Sequence, residues 1–123
     1  MPTNEKTFQT GRRRVPRRNF EAPIGMLLHG KFNQERAFQV GEGGMMFSCR
    51  AAELKEGEQL VVSFFLPNGI LIIVRGIVRS TIPPKGNDRP RYGIEFLNLE
   101  FQMKREIRNF VAAATRLDGH IQL

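Results

Sequence analysis

From Phe20 onward, apolar and polar positions alternate in short runs, the period of a half-buried strand. Ile24, Met26 and Leu28 alternate with Gly25 and Leu27 and predict a first strand running to about His29. Arg36 to Val40 and Met45 to Cys49 read as two short strands, or as one strand bent at Gly41, Gly43 and Gly44. Glycine there permits a positive φ or a close backbone approach. The runs QLVVSFFL and ILIIVRGIVRS are rich in β-branched and aromatic residues. Asn68-Gly69 between them predicts a type I′ hairpin, in which both turn positions take left-handed dihedrals. The second run ends near Ser80, before the turn-forming PPKGNDRP. RYGIEFL then supplies a strand with Tyr92, Ile94 and Phe96 on one face. Short strands between turns favour a barrel or sandwich over a parallel α/β sheet.

The period changes once, near the end. Leu99, Met103, Ile107, Phe110, Val111 and Ala114 recur at spacings of three and four, which makes one apolar helical stripe. Asn98 is a candidate N-cap, Glu100 would sit in the first turn, and Gly119 marks an expected stop. Such a half-polar helix must bury its stripe to be stable, so it is expected to seal one side or mouth of the barrel.

Composition adds limits. At 123 residues there is room for one core, and no run approaches the roughly eighteen apolar residues of a membrane helix. The one cysteine, Cys49, cannot form an internal disulfide; with a polar N-terminus this sets the expectation of a cytoplasmic protein. Formal net charge is +7. Lys6, Arg12, Arg13, Arg14, Arg17 and Arg18 stand against Glu5 alone in the first nineteen residues, whereas the rest of the chain is nearly balanced. The positive field belongs to the N-terminal segment, which would attract phosphates, acidic membranes or acidic proteins. The organisation expected is a flexible basic arm over 1–19, a folded body over 20–117 and a tail over 118–123.

GRRRVPRR, QVGEGGM, LKEGEQLVVSFFLPNG, IVRS, YGIEFLNL and the final helix occur in an order that resembles the PilZ family over roughly residues 12–112. That family's pattern is R-x-x-x-R, then [D/N]-x-S-x-x-G at the start of a strand. Arg13 and Arg17 match the first element, and Arg14 and Arg18 offer a second register. Gln39 takes the Asp/Asn position of the second, Gly41 the serine and Gly44 the glycine. The resemblance implies a six-stranded antiparallel β-barrel capped by a C-terminal helix. It also implies cyclic diguanylate (c-di-GMP) as ligand, often bound as an intercalated pair.

The residue chemistry suits such a ligand. An arginine fork can donate to O6 and N7 of a guanine or to phosphate oxygens, and it can stack on the base. Glycines let backbone amides approach a phosphate. The expected ligand-binding set is Arg12, Arg13, Arg14, Arg17, Arg18, Gln39, Gly41, Gly43 and Gly44. Gln39 lacks the charge of an aspartate and Gly41 lacks a hydroxyl, together a loss of about 1–3 kcal/mol, or tenfold to a hundredfold in affinity.

Taken singly, each feature has a plainer reading: a solvated basic tail, a turn at GEGG, an exposed Gln39, a buried structural Cys49. His29 and His120 lack metal-ligand companions, and no nucleophile–base set, carboxylate pair or phosphate loop stands out, so neither a metal site nor an enzyme is expected. The leading expectation is a c-di-GMP receptor that signals to an unidentified protein partner. The alternatives are a degenerate PilZ adaptor that binds protein without c-di-GMP and, ranked last because the body is nearly neutral, a nucleic-acid-binding barrel.

Overall fold

The computed structural model describes residues 16–50 and 53–121, with side chains to residue 113. Six antiparallel strands close into a barrel in the order β1-β2-β3-β6-β5-β4. They are β1 (Arg17–Leu28), β2 (Lys31–Gly41), β3 (Gly44–Ser48), β4 (Gln59–Phe65), β5 (Leu71–Ile82) and β6 (Arg91–Leu97); helix α1 (Phe101–Ile121) follows. The bent-strand alternative for 36–49 gives way to two strands joined at Glu42-Gly43. Sheet pairing starts at Arg17, inside the segment read as an arm.

Alternation built the core as the pattern required. Phe20, Ile24, Met26 and Leu28 of β1 point inward with Val62 and Phe64 of β4, Ile72 and Val78 of β5, and Tyr92 and Ile94 of β6. Phe20 packs edge-on against Phe64 and against Phe110 of α1, both with centroids 5.7 Å apart. Ile107 and Val111 are buried, so the apolar stripe of α1 closes the barrel mouth where β1 begins and β2 ends. Two contacts fix the helix there. Arg108 grips both Glu42 carboxylate oxygens in the β2–β3 turn at 2.9 and 3.0 Å, and Asn68 Nδ2 in the β4–β5 turn donates to Glu106 at 3.2 Å.

Several expected details differ. Asn68 does not take a positive φ: among non-glycine residues with described backbone only His29 (φ 51) and Asn98 (φ 53) do. The Gly69 amide donates to the Leu66 carbonyl at 2.8 Å and Gly69 has φ 90, so Leu66–Ile70 is a type I turn followed by a left-handed glycine. Pro67 decides this, because its fixed φ suits the first central position of a type I turn. The type I′ geometry appears instead at His29-Gly30 (φ 51 and 78), between the paired residues Leu28 and Lys31. Helix α1 begins after Glu100, whose carbonyl accepts the Lys104 amide at 2.9 Å, so no acidic residue lies in the first turn. Asn98, three residues earlier, turns the corner out of β6 rather than capping. The helix runs through Gly119, for which helical dihedrals remain accessible at a cost of about 1 kcal/mol.

Candidate functional site

Two rows of outward-facing positions cross the barrel wall near the mouth. One runs Asn19–Gln39–Met46–Gly93–Ser80 and the other Arg17–Gly41–Gly44–Glu95–Ile77. Between Arg17 and Glu95 the second row carries only glycine, and Gly93 extends the bare floor into the first. The result is a groove of about 250 Å³ lined by Arg17, Gln39, Gly41, Gly44, Arg79 and Glu95, among others. Three strand spacings separate the two charged walls, roughly 14 Å between backbones.

Bulges aim the side chains. In β2, Glu35 and Ala37 face inward, and strict alternation would carry Gln39 inward as well. The pairing with β3 slips between Ala37 and Gln39, so Phe38 is accommodated as an extra residue, Val40 turns to the core and Gln39 turns out. A second slip, between Val78 and Ser80 of β5, presents Arg79 and Ser80 together on the groove side. The glycines are there for approach. A Cβ on Gly44 would run into the carbonyl of Ile94, and one on Gly41 would stand 2.8 Å from the Pro16 carbonyl oxygen.

The groove is electrostatically two-sided. Arg17 Nη1 donates to Gln39 Oε1 at 3.4 Å on one wall. On the other, Arg79 Nε donates to Glu95 Oε1 at 2.8 Å, with both side chains about half exposed. At its upper edge the Glu42 carboxyl is held below the ordinary carboxylate range, chiefly by its hydrogen bonds from Arg108.

Of the residues expected from sequence, Arg17, Gln39, Gly41, Gly43 and Gly44 come together here. Arg12, Arg13 and Arg14 lie outside the described residues. Arg18 does not line the groove. It points to the opposite side of β1, donates to the Phe110 carbonyl at 3.0 Å and stacks 4.1 Å from the Phe110 ring centroid. Period-two alternation alone separates Arg17 from Arg18, and it favours the Arg13/Arg17 register. Arg79, Glu95, Met46, Ser80 and Gly93 were missed. Nothing in the sequence marks Arg79, because the β5 bulge that brings it to the groove has no signature in composition. Glu95 could have been found, since it shares the outward face of RYGIEFL with Gly93.

A family model for the PilZ domain matches residues 11–113. The chain belongs to the PilZ family. No curated protein matches it. Among solved structures, the PilZ domain of Escherichia coli YcgR with c-di-GMP superposes with a TM-score of 0.71 at 19% identity, covering 90% of this chain and 97% of that one. Bacillus subtilis inhibitor of motility, MotI/DgrA, gives 0.75 at 11% identity, covering 82% of this chain and 50% of that one. The K. pneumonia MrkH–c-di-GMP complex gives 0.66 at 15% identity, covering 89% and 55%. At these identities the likeness establishes the PilZ barrel and its helix. The chain spans about half the length of MotI/DgrA and MrkH. Among described residues no helix is long and apolar enough to cross a membrane, and no cluster of metal-ligating side chains occurs.

Proposed function

We propose that this PilZ domain is a c-di-GMP receptor whose binding site is the glycine-floored groove. One observation carries the reading: a lane without side chains runs between a guanidinium, Arg17, and a carboxylate, Glu95. Guanine has acceptors, O6 and N7, on one edge and donors, N1–H and N2–H, on another. Arg17 suits the first edge. Glu95, with one oxygen on Arg79 and a second to offer, suits the other, and so supplies the negative acceptor that Gln39 does not. Arg12, Arg13 and Arg14, just ahead of Arg17 in the sequence, would supply further guanidinium groups for the phosphates, and the Gly43-Gly44 backbone lines the groove. Two of the solved PilZ structures it resembles were determined with c-di-GMP, which supports the same ligand here.

The output would be a changed surface around the arm and the Glu42–Arg108 junction, read by a protein partner in the cytoplasm. No catalytic step is part of this reading. Isothermal titration with c-di-GMP tests it: saturable binding is expected, with a stoichiometry that separates one bound molecule from an intercalated pair. Folded protein giving no heat at high micromolar ligand would reject it. In that event the second reading stands, a protein-binding adaptor without c-di-GMP, which Gln39 and Gly41 in the second motif favour.

A further inference from the structure

Among the described residues, the wall opposite the groove is rich in exposed apolar side chains. Around the closed barrel, the β1–β4 seam faces away from the β3–β6 seam on which the groove is centred. Outward residues there form continuous rows. Leu27 pairs with Phe32 on one side and Val61 on the other, Ser63 pairs with Gly25 and Ile73, and Phe65 pairs with Leu71. Phe32 is 68% exposed, Phe65 63%, Ile73 51%, Leu27 43% and Leu71 41%. No charged side chain interrupts these rows; Arg36 and Arg75 stand at the border.

We propose that this face is the contact between two copies of the chain. Three observations select a second copy as the occupant. The five exposed apolar side chains present roughly 500 Å² per copy, about the apolar share of the ~800 Å² per partner that a standard stable interface buries. A large apolar centre with an arginine border is the composition of an interface core and rim. The barrel is closed, so no free strand edge competes for self-association, and contact must be face to face. Charge does not oppose it: beyond residue 19 the chain is nearly neutral, and Arg17 stands on the groove wall. The face is self-complementary in chemistry, as a two-fold contact requires. Such a dimer directs both grooves outward. It does not depend on the identity of the ligand.

Analytical ultracentrifugation of the full chain, without ligand, tests this. The chain is expected to sediment as a dimer at tens of micromolar. Phe65→Glu with Ile73→Lys, both at exposed positions, should return it to a monomer with an unchanged circular dichroism spectrum. Raising NaCl to 0.5 M should preserve the dimer, because apolar contact is not screened. A wild-type monomer at several hundred micromolar overturns the proposal. So does a double variant that is folded and still dimeric, or a dimer dissolved by salt.

Discussion

Arg17 and Gln39, 22 residues apart in sequence, are joined by a hydrogen bond of 3.4 Å from the Arg17 guanidinium to the Gln39 side-chain oxygen. They occupy diagonal positions on β1 and β2, with Arg17 opposite Gly41 and Asn19 opposite Gln39. The bond is long, so it orients the arginine over the glycine lane at little cost to exchange for a ligand. Pre-placement of this kind lowers the entropy lost on binding.

Neighbouring arginines should therefore behave differently. Arg17→Ala is expected to weaken c-di-GMP binding by tenfold to a hundredfold, for a charge-assisted contact of about 1.5–3 kcal/mol. Its melting temperature should barely move. Arg18→Ala loses its bond to the Phe110 carbonyl and its stacking on that ring. That should cost stability of about 1–2 kcal/mol and leave affinity unchanged. Titration and thermal melts on both variants separate the roles; equal loss of affinity would contradict the geometry.

Restoring the family's second motif should succeed at one position only. Gln39→Asp places a carboxylate beside Arg17 and at the guanine edge, so roughly tenfold tighter binding is expected. Gly41→Ser adds a Cβ at 2.8 Å from the Pro16 carbonyl oxygen and 3.2 Å from Cγ of Arg17. It should push Arg17 off the groove and weaken binding. Titrating the two single variants checks this, and a gain from Gly41→Ser would show that Pro16 yields.

The glycines of the β2–β3 turn are equally unlike. Gly44→Ala sets a methyl group into the Ile94 backbone carbonyl, where no side-chain motion relieves it, so β3 must part from β6. A loss of more than about 2 kcal/mol is expected by chemical denaturation. At Gly43 no atom lies within 4 Å of an added Cβ, and its φ is not positive. Gly43→Ala should stay within about 0.5 kcal/mol of the parent.

These contrasts show where the sequence was legible. Strand identity, the inward face of RYGIEFL and the helix stripe follow from periodicity, because burial imposes period two or 3.6 on any chain that has one core. Arg17, Gln39 and the glycines were legible through motif order. Arg79 was not, because its place depends on a bulge between β5 and β6, a relation between two strands rather than a property of one. The outward turn of Gln39 depends on a bulge in the same way. The Asn68-Gly69 turn departs from type I′ because Pro67, with its fixed negative φ, takes the first central position and makes Asn68 the second.

The Glu42–Arg108 pair joins α1 to the groove's edge and makes that junction sensitive to acid. The folded-state pKa of Glu42 is lowered chiefly by its hydrogen bonds from Arg108, which outweigh the opposing effect of burial, with the nearby charges of Arg108 and Lys104 adding less. A depressed carboxylate stabilises the fold above its unfolded pKa, and that contribution is lost as pH falls through the lower folded value. Glu42→Gln should melt slightly below the parent at neutral pH, and the gap should close on acidification. Melts across the acid range decide it; a gap independent of pH would mean that the ion pair contributes nothing.

The two hairpin turns predict opposite responses to the same chemistry. His29 sits at φ 51 and Gly30 at φ 78, a type I′ pair in which asparagine at the first position is less strained than histidine. His29→Asn is expected to raise stability by about 0.5–1 kcal/mol, despite losing the exposed 3.6 Å approach of His29 to Glu58. At the other hairpin Asn68 has a negative φ, so Asn68→Gly relieves no strain and also removes the side-chain oxygen that accepts the Ile70 amide at 3.1 Å. It should lower stability. Gly69→Ala, at φ 90, should cost about 1 kcal/mol or more, because an L side chain there meets its own backbone. Denaturant midpoints for the three variants test the assignment: stabilisation by Asn68→Gly would mean that residue 68, not 29, holds the left-handed turn.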